Sequence, residues 1–167
     1  MSGTELFFDW LEHTGLSLWV RGESYFAFPL ILTVHTIGMG FLAGTSSAID
    51  LRLLGFAPRI PVSALDKFYP VIGIAFAANL VSGVLLFVGY PYKAATNPVF
   101  YIKLALIALG IFLVLKIRND VLRGSTEIAR AKWLALASLL CWVGTITAGR
   151  FLAYTFTWLR VGIPGGF

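Results

Sequence analysis

Charged side chains are scarce in this 167-residue chain, at 13% of the sequence, and its other reactive groups amount to one cysteine, two histidines and two methionines. The lone cysteine, Cys141, excludes an intrachain disulfide, and it falls inside an apolar run instead of an exposed loop. There is no HExxH, no Gly-rich phosphate loop, no GxSxG and no pair of carboxylates within an apolar run, so a self-contained enzyme is not expected. No cluster of bases alternates with aromatic residues, which removes nucleic acid from the expected partners despite a net charge of +5. Glu5, Asp9 and Glu12 precede the first base, the reverse of a signal peptide's positive start, so no cleaved leader is expected.

What the chain has instead is apolar length. With hydrophobic residues at 58% and a mean hydropathy of +0.84, it cannot cover a soluble globule of this size with polar surface, and reads as an integral membrane protein. A helix crosses the hydrocarbon core with about 20 apolar residues. Four segments qualify, near 25–49, 69–90, 99–117 and 132–152. The expected fold is all-α: one membrane domain over 1–167, a bundle of four transmembrane helices. Ahead of it, Ser2-Gly3-Thr4-Glu5 has capping-box spacing, and Phe7, Trp10, Leu11 and Leu18 gather on one side. That pattern predicts an amphipathic interfacial helix over 3–20, interrupted by Gly15 and Gly22.

Orientation follows from the bases. The connections 50–68 and 116–132 share one face of a four-span protein and together hold Arg52, Arg59, Lys67, Lys116, Arg118, Arg123, Arg130 and Lys132. The opposite face holds Arg21, Lys93, Lys103, Arg150 and Arg160. Eight bases against five place both termini outside, which in a bacterial inner (cytoplasmic) membrane is the periplasm. Lys103, one turn into the third span, is expected to snorkel outward, and Arg150 to anchor at the interface among Trp142, Tyr154 and Trp158.

Within the charge-free run 24–49, His35 is the one side chain able to take a proton or a metal near neutral pH. An imidazole at bilayer depth is a candidate functional group by default. At 100° per residue it shares a stripe with Ile31, Met39, Leu42, Ser46 and Asp50, while Gly40 and Gly44 form a GxxxG pattern opposite, suited to close helix approach or an oligomer contact. Depth matching adds Asn79 and Cys141 at a similar level, with Ser138 and Thr145 on the cysteine's face. A buried hydrogen-bond network is the plain use for such a set.

The sharper use is haem or metal ligation by His35. Gly38 lies near its face, Ala75, Ala77, Ala78 and Gly83 leave room for a flat macrocycle, and Arg150, Arg160 or Lys103 would neutralise propionates. His35, Gly38, Asn79 and Arg150 are thus the candidate cofactor residues, with haem b the candidate cofactor. A second axial ligand is missing: His13 lies on the interfacial helix, four residues after Asp9, and Met39 projects from the same helix face one turn away. A copper site from His35, Met39 and Cys141 is a weaker variant.

The run from Trp10 through Gly55 resembles a bacterial family of small four-helix inner-membrane proteins of unknown function. The resemblance is carried by Trp10-Leu11, Leu16-Ser17, Arg21-Gly22-Glu23-Ser24, Phe28-Pro29, His35-Thr36-Ile37-Gly38 and above all Asp50-Leu51-Arg52-Leu53-Leu54-Gly55, and continues weakly through Gly83 to Phe87 and Phe100 to Lys103. It implies the four-span fold and weight on His35 and the Asp50–Gly55 turn. In that family a glutamate commonly precedes the histidine by three residues; here the position is Leu32, which removes the acid partner for an acid–histidine relay. The first functional expectation is a membrane-embedded haem-binding or electron-transfer component; the alternatives are a cofactor-free scaffold subunit and, third, a small carrier or channel. The expected partners are the lipid bilayer and a homo-oligomer or larger membrane complex.

Overall fold

A computed structural model describes residues 3–22, 26–122 and 127–159. Ser2, Glu23, Ser24, Arg123 and Arg160, all used above, lie outside the described residues, as do the side chains of Thr4, Glu5 and Trp158. The described chain is helical, without a strand: α1 (Gly3–Glu12), α2 (Gly15–Arg21), α3 (Ala27–Leu54), a 3-10 segment (Val62–Phe68), α4 (Tyr69–Gly89), α5 (Pro91–Ala95), α6 (Pro98–Lys116), a π-helical turn (Ile117–Leu122) and α7 (Ile128–Leu159).

Local chemistry sets the boundaries. Pro29 stands in the first turn of α3, and prolines open α4, α5 and α6, where the missing N–H has no helical partner to lose. The Asp50–Gly55 string proves to be a helix terminus. Gly55 takes φ 112°, its N–H donates to the Arg52 carbonyl at 3.2 Å, and the Phe56 N–H donates to Leu51 at 3.0 Å. The Arg52 guanidinium then donates to the carbonyls of Ile60 (2.6 Å) and Pro58 (3.0 Å), fastening the following loop to the helix end.

The interfacial helix expected over 3–20 is two helices. Thr14 ends the first and caps the second, its hydroxyl accepting from the Ser17 N–H at 3.3 Å. Leu6, Phe7 and Trp10 of α1 stay exposed, as an apolar face laid on lipid requires. α2 behaves otherwise: Ser17 and Val20 are fully buried, and a Cβ on Gly89 would come within 2.7 Å of Val20, so α2 docks on the end of α4. The cause is Gly89, whose missing side chain makes a socket for Val20.

Among the described residues four helices are long and apolar enough to cross a membrane. α3 and α7, with 28 and 32 residues, run beyond the spans expected at 25–49 and 132–152. In the bundle α3 packs on α4 and α7, and α7 packs on α6. α4 and α6 meet through long side chains instead of close backbone contact: the Phe87 and Phe100 rings stack at 5.6 Å near one end, and the Tyr69 hydroxyl donates to the Val114 carbonyl at 3.1 Å near the other. Past that second end Arg118 pairs with Asp66 at 2.8 Å, joining the two connections assigned to one face. Trp142, expected among the interfacial anchors, is 1% exposed and sits in the core against Gly110. Gly40 and Gly44 line a shallow open groove with Ile37, Phe41 and Thr45.

Candidate functional site

His35 lies eight residues into α3, about 12 Å along the helix at 1.5 Å per residue. Three other helices supply its surroundings. From α4, Ser82 Oγ lies 3.0 Å from Nδ1, and the Asn79 amide donates to the His35 carbonyl at 2.8 Å. From α6, Lys103 Nζ approaches Nε2 to 3.5 Å. From α7, Gly149 backs Lys103, its own Cβ position lying 3.9 Å from Nζ.

The serine fixes the tautomer. Its hydroxyl proton is committed to carbonyls of its own helix, at 2.7 Å from Ala78 and 3.2 Å from Asn79. Ser82 Oγ therefore accepts from the imidazole, Nδ1 carries the proton, and Nε2 keeps its lone pair, an assignment made from the hydrogen-bond network. That lone pair faces α6 across the seam between α4 and α6. Gly83 borders the ring edge: a Cβ there would lie 3.3 Å from His35 Cε1.

The four candidate residues fare differently. His35 and Asn79 meet, through the histidine's backbone. Gly38 stands at the α3–α4 crossing, where a Cβ would meet the Ala75 carbonyl and the Asn79 amide, each at 3.3 Å, so it serves helix contact and the space beside it belongs to α4. Arg150 is exposed on α7, one residue past Gly149, with no ion pair among the described residues. Of the alternative copper set, Met39 packs against the apolar core and Cys141 lies within electrostatic reach of Asp50, 15 residues beyond His35 and about 22 Å farther along α3. Among the described residues no three His, Cys, Asp or Glu side chains gather as a metal cluster.

Ser82 is the site residue that sequence reasoning missed, and Lys103, expected only as an outward-reaching cation for propionates, lies beside the imidazole instead. Lys103 does not snorkel outward; its stem runs into the bundle between α3 and α7, because Gly149 leaves that path open. Leu32, where a glutamate was missing, is 43% exposed on the outside of the bundle, so the imidazole's partners come from other helices. His13 keeps to Asp9, with Nδ1 2.7 Å from the aspartate's backbone oxygen and 3.7 Å from its carboxylate. A second polar group lies at the far end of α3. Asp50 and Ser46 are 1% exposed, and Ser138 of α7 lies beside the Asp50 carboxylate.

Fold and site together define a four-span helical membrane protein with a histidine–lysine pair inside the bundle. The chain belongs to a family of unknown function, DUF6644, whose profile covers residues 7–155. No curated protein and no solved structure matches it.

Proposed function

We propose that the protein is a membrane-embedded haem-binding or electron-transfer component in which His35 Nε2 is an axial ligand to the iron of haem b. The observation that carries this reading is the Nδ1–Ser82 bond at 3.0 Å, which holds the ring in the tautomer a metal needs and leaves Nε2 as the lone pair. A ligating histidine characteristically donates its other ring N–H in this way. Gly83 lets the ring edge lie directly against α4, which helps to hold the imidazole in place, and Arg150 supplies a cation for a propionate on the same half of the bundle. Seating a porphyrin requires the seam between α4 and α6 to widen. The contacts it would part are the Phe87–Phe100 stack and the Tyr69–Val114 bond, whereas the α3–α4 crossing at Gly38 is close-packed. Bound haem would supply one-electron chemistry; the chain's own residues orient the imidazole through Ser82 and hold Lys103 beside it.

Adding haemin to detergent-solubilised protein tests the proposal. Wild type is expected to bind stoichiometrically with a shifted Soret band, and His35→Ala to lose that band while keeping its helical circular dichroism. Ser82→Ala is expected to weaken haem affinity by roughly 10- to 100-fold, the usual effect of removing a group that orients a metal ligand. Equal haem binding by wild type and His35→Ala would overturn the assignment. The scaffold reading draws on the same bonds, since Asn79 to the His35 carbonyl and His35 to Ser82 both tie α3 to α4. It predicts a colourless protein that His35→Ala merely destabilises.

A further inference from the structure

We propose that Asp50 and Ser46 of α3 and Ser138 of α7 form a binding site for a dehydrated monovalent cation of sodium's size. The site is independent of His35, which lies 15 residues earlier on the same helix. Asp50 and Ser46 are 1% exposed and Ser138 is fully buried, so bulk water solvates none of the three. Ser138 lies beside the Asp50 carboxylate, while Asp50 Oδ2 and Ser46 Oγ have no hydrogen-bond partner among the described residues. A serine four residues before an aspartate shares its helix face, and the packing of α7 on α3 brings the second hydroxyl from across the contact.

A carboxylate taken out of water keeps its charge only when it is paired with a base or bound to a metal ion. Among the described residues no base forms an ion pair with Asp50. Arg52, two residues on, directs its guanidinium to the carbonyls of Ile60 and Pro58, and Arg130 and Lys132, which precede Ser138 on α7, are exposed. The neighbouring titratable group is Cys141, which adds no positive charge. Carboxylate and hydroxyl oxygens suit a hard ion. One carboxylate with two neutral hydroxyls carries a single negative charge, which a monovalent ion cancels and a divalent ion exceeds. Sodium shares calcium's ionic size, so its bonds to oxygen are about 2.4 Å long. At that length it fits between side-chain oxygens at a helix contact and needs no enclosed cavity. Leu54, the last residue of α3, is about 6 Å farther along the axis, so the site lies near the membrane face where that helix ends.

Binding of radioactive sodium to the full chain in detergent tests the proposal, with thermal unfolding in sodium or choline chloride at equal ionic strength as a second readout. Wild type is expected to bind sodium saturably and to melt at a higher temperature in sodium chloride than in choline chloride. Asp50→Asn keeps the side chain's shape and removes its charge, so it should lose both responses while its circular dichroism stays helical. Ser138→Ala should weaken sodium binding by roughly 10-fold, the usual loss on removing a polar contact to a charged group. His35→Ala should bind sodium as wild type does, which separates this site from the haem reading. Wild type without saturable sodium binding would overturn the proposal, as would Asp50→Asn with undiminished binding. A melting temperature that follows pH and ignores sodium would overturn it too, by assigning Asp50 to a proton.

Discussion

Replacing Trp142 with alanine is expected to be the most damaging single change in the bundle, lowering stability by about 3–5 kcal/mol. The indole is 1% exposed, packs in one cluster with Leu42, Ala43 and Ile49 of α3, and lies against Gly110 of α6. One side chain on α7 therefore fills the space between two other helices. Lipid tails are as apolar as the core, so this loss is mainly of van der Waals contact and of a cavity left by rigid neighbours. Thermal unfolding in detergent, followed by circular dichroism, checks it. Trp142→Phe retains much of the ring and should recover at least half the loss. A Trp142→Ala protein within about 1 kcal/mol of wild type would show that the cluster is not the keystone of the packing.

The second large effect is expected at Gly38. A Cβ there meets the Ala75 carbonyl and the Asn79 amide at 3.3 Å, and the Asn79 N–H at 3.5 Å. Two of those three are backbone atoms of α4 and cannot rotate away. Gly38→Ala requires a shift of a few tenths of an ångström, whereas Gly38→Leu must push α3 and α4 apart, at about 1–3 kcal/mol for overpacking. The interhelical bonds from Asn79 to the His35 carbonyl and from His35 to Ser82 add to the loss, at roughly 1 kcal/mol each inside a membrane bundle. The imidazole then loses its orientation along with the crossing. Histidine ring signals in nuclear magnetic resonance spectra of ring-labelled protein, together with melting temperature, separate the two components. A stable Gly38→Leu protein with an unchanged His35 signal would contradict the close crossing.

Several of these relationships were legible in the sequence and others were hidden for a physical reason. The four spans follow from hydropathy alone, and the stripe carrying His35 was correct because Ser46 and Asp50 mark the buried side of α3 by their polarity. α6 offers no such mark. Lipid and bundle interior are both apolar, so its residues show no periodic contrast, and the azimuth of Lys103 could be read only from the neighbouring helices. Its nearness to the helix start suggested an outward path, and Gly149, 46 residues later, is what allows the inward one. Cys141 was misplaced because depth was matched between span centres. α3 and α7 extend to Leu54 and back to Ile128, and the level of Cys141 is that of Asp50 instead of His35. Ser82 carried no signal of its own; a serine in a span becomes informative only once its hydroxyl is seen between a carbonyl and an imidazole.

In the proposed function His35 presents its unprotonated Nε2 to haem within the membrane. The most direct test is the absorption spectrum of the full chain purified gently from membranes, oxidised and then reduced with dithionite. A Soret band that sharpens on reduction with resolved α and β bands is the predicted result. A spectrum without features above the tryptophan band, unchanged by dithionite and by added haemin, would contradict it and leave His35 as a structural link between α3 and α4.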